Sequence, residues 1–564
     1  MTFGELQLAD QRWVLADLAP HVAILVKRWF RRVDVAAKTV RLSATPESSF
    51  ELRFFLGRYP MRMDAVARAE LERLASEHED RQRRVQALAM LGDGYARAQL
   101  PMAKPARDYQ DFAAEICHAT GSLLCADEAG LGKTVTAIAA MARDGGLPAA
   151  VVVPLSVLEQ WARKLAEFFP SAAVHVIRCS PEQERKKASK ARASADVVLL
   201  PYTRLRQWAD VLHPRLVVFD EVHHLRHDNS ERYLGALELR TRAALCMGLS
   251  ATPIYNYGGE FFNIMGVVSP GSLGERAEFY REWCTMADSD GRRQRLVDPA
   301  AFGAWLRGEG LMVRRSRRDV GRMLPPMTRV LLDIDIEDED SASLEALAWR
   351  ALHGAPRDRF EASGQLDFRL REWTGIAKAP AVADLVAELI DDTGEQVVLF
   401  GWHHAVYANW RDKLARFSPA FYTGNESAKA KDAAAQSFIA GDAKVLIMSL
   451  RSAEGLDGLQ GCCHRVVHGE LDWSPAVHHQ AAARVHRDGQ AEGTLEYWPV
   501  ATGGSDPVII DTLGVKRWQI DGVVDPTGER AKDVQVDPDH VRSMAVAYLR
   551  RRGLDPDKPP ADLP

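Results

Sequence analysis

Two adjacent carboxylates, Asp220 and Glu221, close the apolar run RLVVFDEVHH, and far upstream the run DEAGLGKT ends in Lys133 and Thr134. A glycine-flanked loop that opens a helix with lysine and a hydroxyl presents backbone N–H groups and a cation to an anion, which is phosphate chemistry. In this reading Gly130, Leu131 and Gly132 form the cradle, and Lys133 reaches the β and γ phosphates of ATP. Thr134 holds Mg2+, and Asp220, at the carboxyl end of a strand, is a second ligand to the same ion. Glu221 then orients or deprotonates an attacking water. The strict form G-x-x-x-x-G-K-T fails at one place, because Asp127 stands where its first glycine belongs. Alone, GLGKT also describes a helix start and Asp-Glu a solvated acidic turn; their order along one chain favours the joint reading.

These residues need strands to hold them. From Gly121 the short apolar runs SLLCAD, AAVVVPL, ADVVLLPY, RLVVFDE and AALCMGLSAT alternate with helical patterns, which predicts a parallel sheet with crossover helices. The pattern lapses over about 256–373 and returns with QVVLFGW, AKVLIMSL, HRVVHGE and GTLEYWPV, so the chain reads as α/β with two sheets in tandem. Upstream, HVAILVKRWF and FELRFFLGRYP read as strands, followed by a charged helix from about Met63 to Leu100, and PMAKPAR reads as a boundary. The proline- and charge-rich end, RRRGLDPDKPPADLP, reads as a tail whose last dozen residues are disordered.

Composition restricts the partners. Lys and Arg number 72 against 77 Asp and Glu, a net charge of −5 over 564 residues, so any surface for nucleic acid is local. The seven cysteines contain no CxxC pair, which argues against disulfides and zinc. His223 and His224, with His213 and His227 nearby, invite a metal, but no cysteine accompanies them and they adjoin the Mg2+ acid. The start, MTFGELQLADQRW, lacks the form of a signal peptide, and no apolar stretch has membrane-spanning length; no membrane partner and a cytoplasmic location are expected.

An ordered series of motifs resembles the Swi/Snf-type ATPases of helicase superfamily two, including the compact annealing-helicase branch and its bacterial relatives. ARDYQ, with Gln110, resembles the adenine-reading Q motif; DEAGLGKT, VVVPLSVLEQW, DEVHH and GLSATPIYN resemble motifs I, Ia, II and III. VRRSRRDVGRMLPP is similar to the segment leading out of the first lobe, TGIAKAPAV and VVLFGWHHAV to the entry into the second, and SLRSAEGLDGLQ, GELDWSP and HQAAARVHRDGQ to motifs V and VI. The resemblance implies two RecA-like lobes with helical insertions and a small N-terminal α+β domain: 1–100 accessory, 101–325 first lobe, 326–375 linker or helical protrusion, 376–525 second lobe, 526–564 tail. It implies that Arg484 and Arg487, three apart and so on one helical face, neutralise the transferring phosphoryl group across a cleft. It also implies that His223, Ser250, Thr252 and Gln480 couple ATP to movement. Departures are Val222 for alanine, Ser250 for glycine, and Glu454 in a run that faces DNA in the family. Arg314, Arg315, Arg317 and Arg318 read equally as phosphate contacts or as a solvated linker helix. The implied activity is ATP-driven translocation on double-stranded DNA. Alternatives are a strand-separating or annealing helicase on DNA or RNA, and a nucleotide-switched binding subunit with weak ATPase. Residues 1–100 are the expected place for protein partners.

Overall fold

The computed structural model describes residues 2–37, 39–91, 95–186, 195–251, 258–285, 294–321, 324–336, 342–450, 456, 458–513 and 540–560. The chain divides into two units, one running to Val320 and the other holding the described residues from Gly321 onward.

In the first unit, strands β1 (Glu5–Ala9), β2 (Arg12–Ala16) and β3 (Val40–Ser43) form an antiparallel sheet in that order. The two segments expected as strands here are helices, α1 (Pro20–Trp29) and α2 (Pro46–Arg58). Val22 and Val26 are buried one turn apart in α1, and Leu52, Phe55 and Leu56 repeat that spacing in α2. Pro20 and Pro46 sit in the first turns, and Thr45 caps α2 through the Ser48 N–H. The aromatic and β-branched content suggested strands; the periodicity of burial and the caps made helices. The charged helix is α3 (Ala65–Leu91).

The main sheet of this unit has seven parallel strands, β4 (Ser122–Cys125), β5 (Ala149–Val153), β6 (Val174–Val176), β7 (Val197–Pro201), β8 (Leu216–Phe219), β9 (Leu245–Leu249) and β10 (Met312–Val313), in the order β10-β4-β9-β8-β5-β7-β6. Alternate residues of the inner strands feed two cores. Leu124, Val152, Val217 and Phe219 enter one; Leu123, Cys125, Val151 and Val218 enter the other, beneath α4 (Asp108–Thr120), α5 (Lys133–Ala142) and α6 (Leu158–Phe168). Strands covered on both faces are apolar throughout, which is why these runs were legible.

The second unit holds six parallel strands, β11 (Met327–Ile334), β12 (Val397–Gly401), β13 (Ala420–Tyr422), β14 (Val445–Ser449), β15 (Arg465–His468) and β16 (Thr494–Ala501), in the order β11-β16-β15-β12-β14-β13. β11 falls in the stretch expected as linker, yet it pairs with β16 along its whole length, from Met327 with Thr494 to Ile334 with Ala501. The helix Pro356–Thr393 likewise runs through the expected boundary at 375/376. The expected tail contains the helix His540–Arg551, whose Met544, Ala545, Tyr548 and Leu549 are fully buried against Leu344, Trp349 and Ile509. Among the described residues no helix is long and apolar enough to cross a membrane.

Candidate nucleotide site

The loop between β4 and α5 is built around two glycines with positive φ, Gly130 at 89° and Gly132 at 75°. At Gly132 a Cβ would also meet the Gln110 amide nitrogen at 2.6 Å, so the positive φ favours glycine and any larger residue would displace the Gln110 amide. Gln110 is buried, and its side chain is engaged with the chain's own backbone: its oxygen accepts from the Arg107 N–H at 2.9 Å, and its nitrogen donates to the Leu131 carbonyl at 2.9 Å. The Tyr109 hydroxyl donates to the same carbonyl at 2.9 Å. Lys133 opens α5, and its ammonium donates to the carbonyls of Asp127 at 2.8 Å and Glu128 at 3.4 Å, within the loop. Thr134 follows in the first turn of the same helix, whose N-terminal N–H groups face the loop.

Asp220 lies one residue beyond β8, and its N–H bonds to the Val152 carbonyl of the neighbouring β5 at 2.9 Å. The carboxylate is fixed on both oxygens: the Trp161 indole N–H donates to one at 2.7 Å, and the Glu221 N–H to the other at 3.0 Å. The Tyr202 hydroxyl donates to the Asp220 carbonyl at 2.8 Å. Glu221 has φ of 47°, a left-handed conformation costly for a residue with a Cβ, and the chain turns there into a 3-10 segment. Burial, then the Glu221 charge, hold the Asp220 carboxyl above the ordinary carboxylate range, partly offset by Trp161 and Lys133. Burial also lowers the Lys133 ammonium, which the Glu221 carboxylate opposes. Lys133, Asp220 and Glu221 therefore share one electrostatic environment at the carboxyl edge of the sheet. Two crowded carboxylates are a hard oxygen donor set of the kind that suits Mg2+.

His223 is buried with its Nδ1 at 3.2 Å from a Glu221 oxygen, and its ring stacks on His224 at 4.8 Å. Ser250 follows β9, and its N–H donates to the Cys125 carbonyl at 3.2 Å, one strand from the loop. Thr252 and Glu454 lie outside the described residues. Among the described residues Glu395, His464 and Glu492 stand close enough together to hold a metal, and there Arg465 is ion-paired to Glu395.

In the second unit, Gln480 lies in the helix Pro475–Ala482, but Arg484 and Arg487 come after its end. The Arg484 and Val485 N–H groups bond three residues back, to Ala481 and Ala482, and the His486 N–H four back, to Ala482, so the α-helix ends before the arginines and they sit on the turns that follow it. An Arg487 N–H donates to the Leu456 carbonyl at 3.4 Å.

The arginines after β10 are neither a solvated helix nor, at two positions, available for phosphate. Arg315 and Arg317 pair with Asp127 and Glu128, the two carboxylates that precede the loop glycines. Trp161, the last residue of VVVPLSVLEQW, is an Asp220 partner that nothing in that run announces.

A phosphate-type loop and a carboxylate pair on one parallel sheet, with a second parallel sheet carrying an arginine pair, define the two-lobed helicase-type ATPases. Residues 48–358 match the SNF2-related domain and residues 380–489 the helicase conserved C-terminal domain; the chain belongs to the SNF2-related family. It is similar to the DNA annealing helicase and endonuclease ZRANB3 of Mus musculus, 26% identical over 422 residues that cover 70% of this chain and 38% of that protein. It is also similar to the uncharacterized ATP-dependent helicase YqhH of Bacillus subtilis, 26% identical over 432 residues that cover 68% and 72% of the two chains. The chain thus spans well under half the length of the mouse relative. Among solved structures, the SWI2/SNF2 ATPase core of Sulfolobus solfataricus in complex with dsDNA aligns with a TM-score of 0.37 and 19% identity, covering 76% of this chain and 95% of that one.

Proposed function

We propose that the protein is a DNA-dependent ATPase that translocates on double-stranded DNA. The observation that carries this reading is the convergence of Lys133, Asp220 and Glu221 at the carboxyl edge of the first sheet, in a chain of the SNF2-related family. Lys133 binds the β and γ phosphates, and α5 directs its N-terminal N–H groups at them. Thr134 and Asp220 hold Mg2+, which when bound neutralises charge on the phosphate oxygens. Glu221 takes the proton of the attacking water. Trp161 and the Glu221 N–H keep the Asp220 carboxylate in one orientation. Arg484 and Arg487 stabilise charge that develops on the phosphoryl group, and His223, Ser250, Thr252 and Gln480 link nucleotide state to movement. The domain division expected from the sequence is amended in this proposal, with the described residues from Gly321 onward assigned to the second lobe.

Duplex DNA as track rests on the family and on relatives whose name is DNA annealing helicase; the same name favours strand annealing as a second reading. Residues 1–100, where Trp29 and Phe54 stack while 54% and 68% exposed, are the region proposed for a protein partner. A cytoplasmic location fits a protein that needs both ATP and DNA.

Steady-state ATPase with duplex DNA, single strand and RNA, set beside an annealing assay on complementary strands, tests the reading. Duplex is expected to stimulate most, and Glu221→Gln to bind ATP without turning it over. Stimulation by RNA alone, or wild-type turnover by Glu221→Gln, contradicts it.

A further inference from the structure

Asp127 occupies the place of a loop glycine, and what surrounds it suggests why. The ladder between β10 and β4 continues past both strands: the Ala126 N–H donates to the Val313 carbonyl at 2.8 Å, and the Glu128 N–H to the Arg315 carbonyl at 3.0 Å. Side chains then take over. Arg314 donates to the Ala126 carbonyl at 2.8 Å. The buried Asp127 carboxylate accepts from the Arg315 N–H and Nε at 3.0 Å each and from its Nη2 at 2.6 Å. Glu128 accepts from the Arg317 N–H at 2.8 Å, and Arg317 Nη2 donates to the Ala129 carbonyl at 2.7 Å. Four successive loop residues, 126 to 129, are thus each held by the strap 314–317. Arg315 also donates to the Tyr109 carbonyl and lies over the Tyr109 ring at 5.2 Å, and Tyr109 in turn bonds Leu131 on the other side of the loop.

The Lys133 ammonium rests on the carbonyls of Asp127 and Glu128, the two residues whose side chains grip the strap. A phosphate that draws Lys133 toward itself alters the backbone to which the strap is fastened. We propose that the strap 314–317 is a positioning element of the phosphate loop, with Arg315 at its centre, and that nucleotide occupancy is felt at the strap. The strap ends three residues before Val320, where the first unit ends, so it is also the segment through which occupancy would be passed along the chain. Coupling of this kind is reciprocal: if nucleotide tightens the strap, loosening the strap weakens nucleotide by the same factor.

This inference rests on the reading of the loop as an ATP site, and the test separates the two. Binding of a fluorescent ATP analogue with Mg2+ is measured first, on the full chain without DNA. Hydrogen exchange at residues 314–318 is then compared with and without the analogue, since the Arg315 and Arg317 amides are the donors to Asp127 and Glu128. We expect slower exchange with nucleotide, and affinity reduced about ten-fold in Arg315→Gln, partly recovered in Arg315→Lys and unchanged in Arg318→Gln, whose side chain is exposed. Equal exchange in wild-type protein that binds the analogue, or an Arg315→Gln affinity within about two-fold of wild type, overturns the inference alone. Wild-type protein that binds no nucleotide overturns the site reading beneath it. If Arg315→Gln does not fold, the wild-type exchange decides.

Discussion

Arg487 is the residue whose proposed role depends most on chemistry and least on packing. An arginine that meets charge only as it develops in the transition state contributes to turnover and little to ground-state binding. Arg487→Ala is therefore expected to keep ATP and DNA affinity while slowing hydrolysis roughly 10³-fold, the scale of arginine fingers. The control is Arg357→Ala in the same unit, whose side chain is 92% exposed beside Glu361. Arg551, near the end of the chain, is unsuitable as a control because it donates to the Gly504 carbonyl at 2.7 Å. Near-normal DNA-stimulated ATPase in both variants would remove Arg487 from the chemistry. The residues of the loop and the DEVHH run were legible because phosphate and Mg2+ chemistry admits few side-chain types at few spacings. Their partners were not: Asp127 with Arg315 and Trp161 with Asp220 join positions 188 and 59 residues apart, and nothing periodic announces such pairs.

The elements of the second unit are joined by a buried polar chain that gives it a pH dependence. His478 Nε2 lies 2.9 Å from the Asp472 N–H and 3.1 Å from the Asp472 carbonyl, and its Nδ1 lies 3.2 Å from His468 Nδ1. His468 Nε2 then donates to Glu496 at 2.9 Å, and Arg329 of β11 donates to the other Glu496 oxygen at 3.1 Å. Burial first, and then the adjacent His468, push the His478 imidazole down to about 3. Against the burial that would raise it, His468 and Arg329 pull the Glu496 carboxyl to about 2. The signs agree. Below about pH 6.5 the unfolded chain takes a proton that folded His478 refuses, so stability falls with pH by up to about 1.4 kcal/mol per unit toward pH 3. Glu496 adds a loss that begins below about pH 4.3 and is complete below its folded value. Denaturant titrations of wild type and His478→Gln between about pH 7 and 4.5 should show a shallower slope for the variant; equal slopes would mean the histidine is not held neutral. At this scale the buried strands were legible as apolar runs, whereas β11 was not, because its residues are exposed or half-exposed and its place is set by pairing with β16.

At the scale of the whole molecule, the N-terminal region belongs to the body of the first unit. The Ser43 N–H donates to Glu278 at 2.8 Å, Arg281 donates to the Arg32 carbonyl at 2.8 Å, and the Trp305 indole donates to Glu47 at 3.0 Å. At the centre the Arg32 guanidinium, 9% exposed, faces Glu47 at 3.5 Å, Glu51 at 3.4 Å and Glu282 at 3.2 Å. Burial, only partly offset by Arg32, lifts the Glu51 carboxyl to about 7, and burial raises Glu282 as well, so one cation is the chief restraint on three crowded acids. A domain free to swing would not place a buried cation among acids drawn from both sides of the joint. The match to the SNF2-related domain likewise begins at residue 48, inside α2, and not at the expected boundary near 100. Two sheets could be read from strand runs along the chain, but this joint links positions more than 230 residues apart through charges that individually look like solvated surface. Arg32→Met removes the restraining cation and leaves the carboxylates to one another, which is expected to cost about 3–5 kcal/mol of the first unit's stability, as for other broken buried pairs. The loss should shrink as pH is lowered and the carboxylates take up protons, because neutral acids need no cation. Thermal and denaturant unfolding at neutral and mildly acidic pH would measure both effects. A change below about 0.5 kcal/mol at neutral pH, the range of an ordinary surface substitution, would show that residues 1–100 are an appended module whose ion pairs with the lobe carry no load.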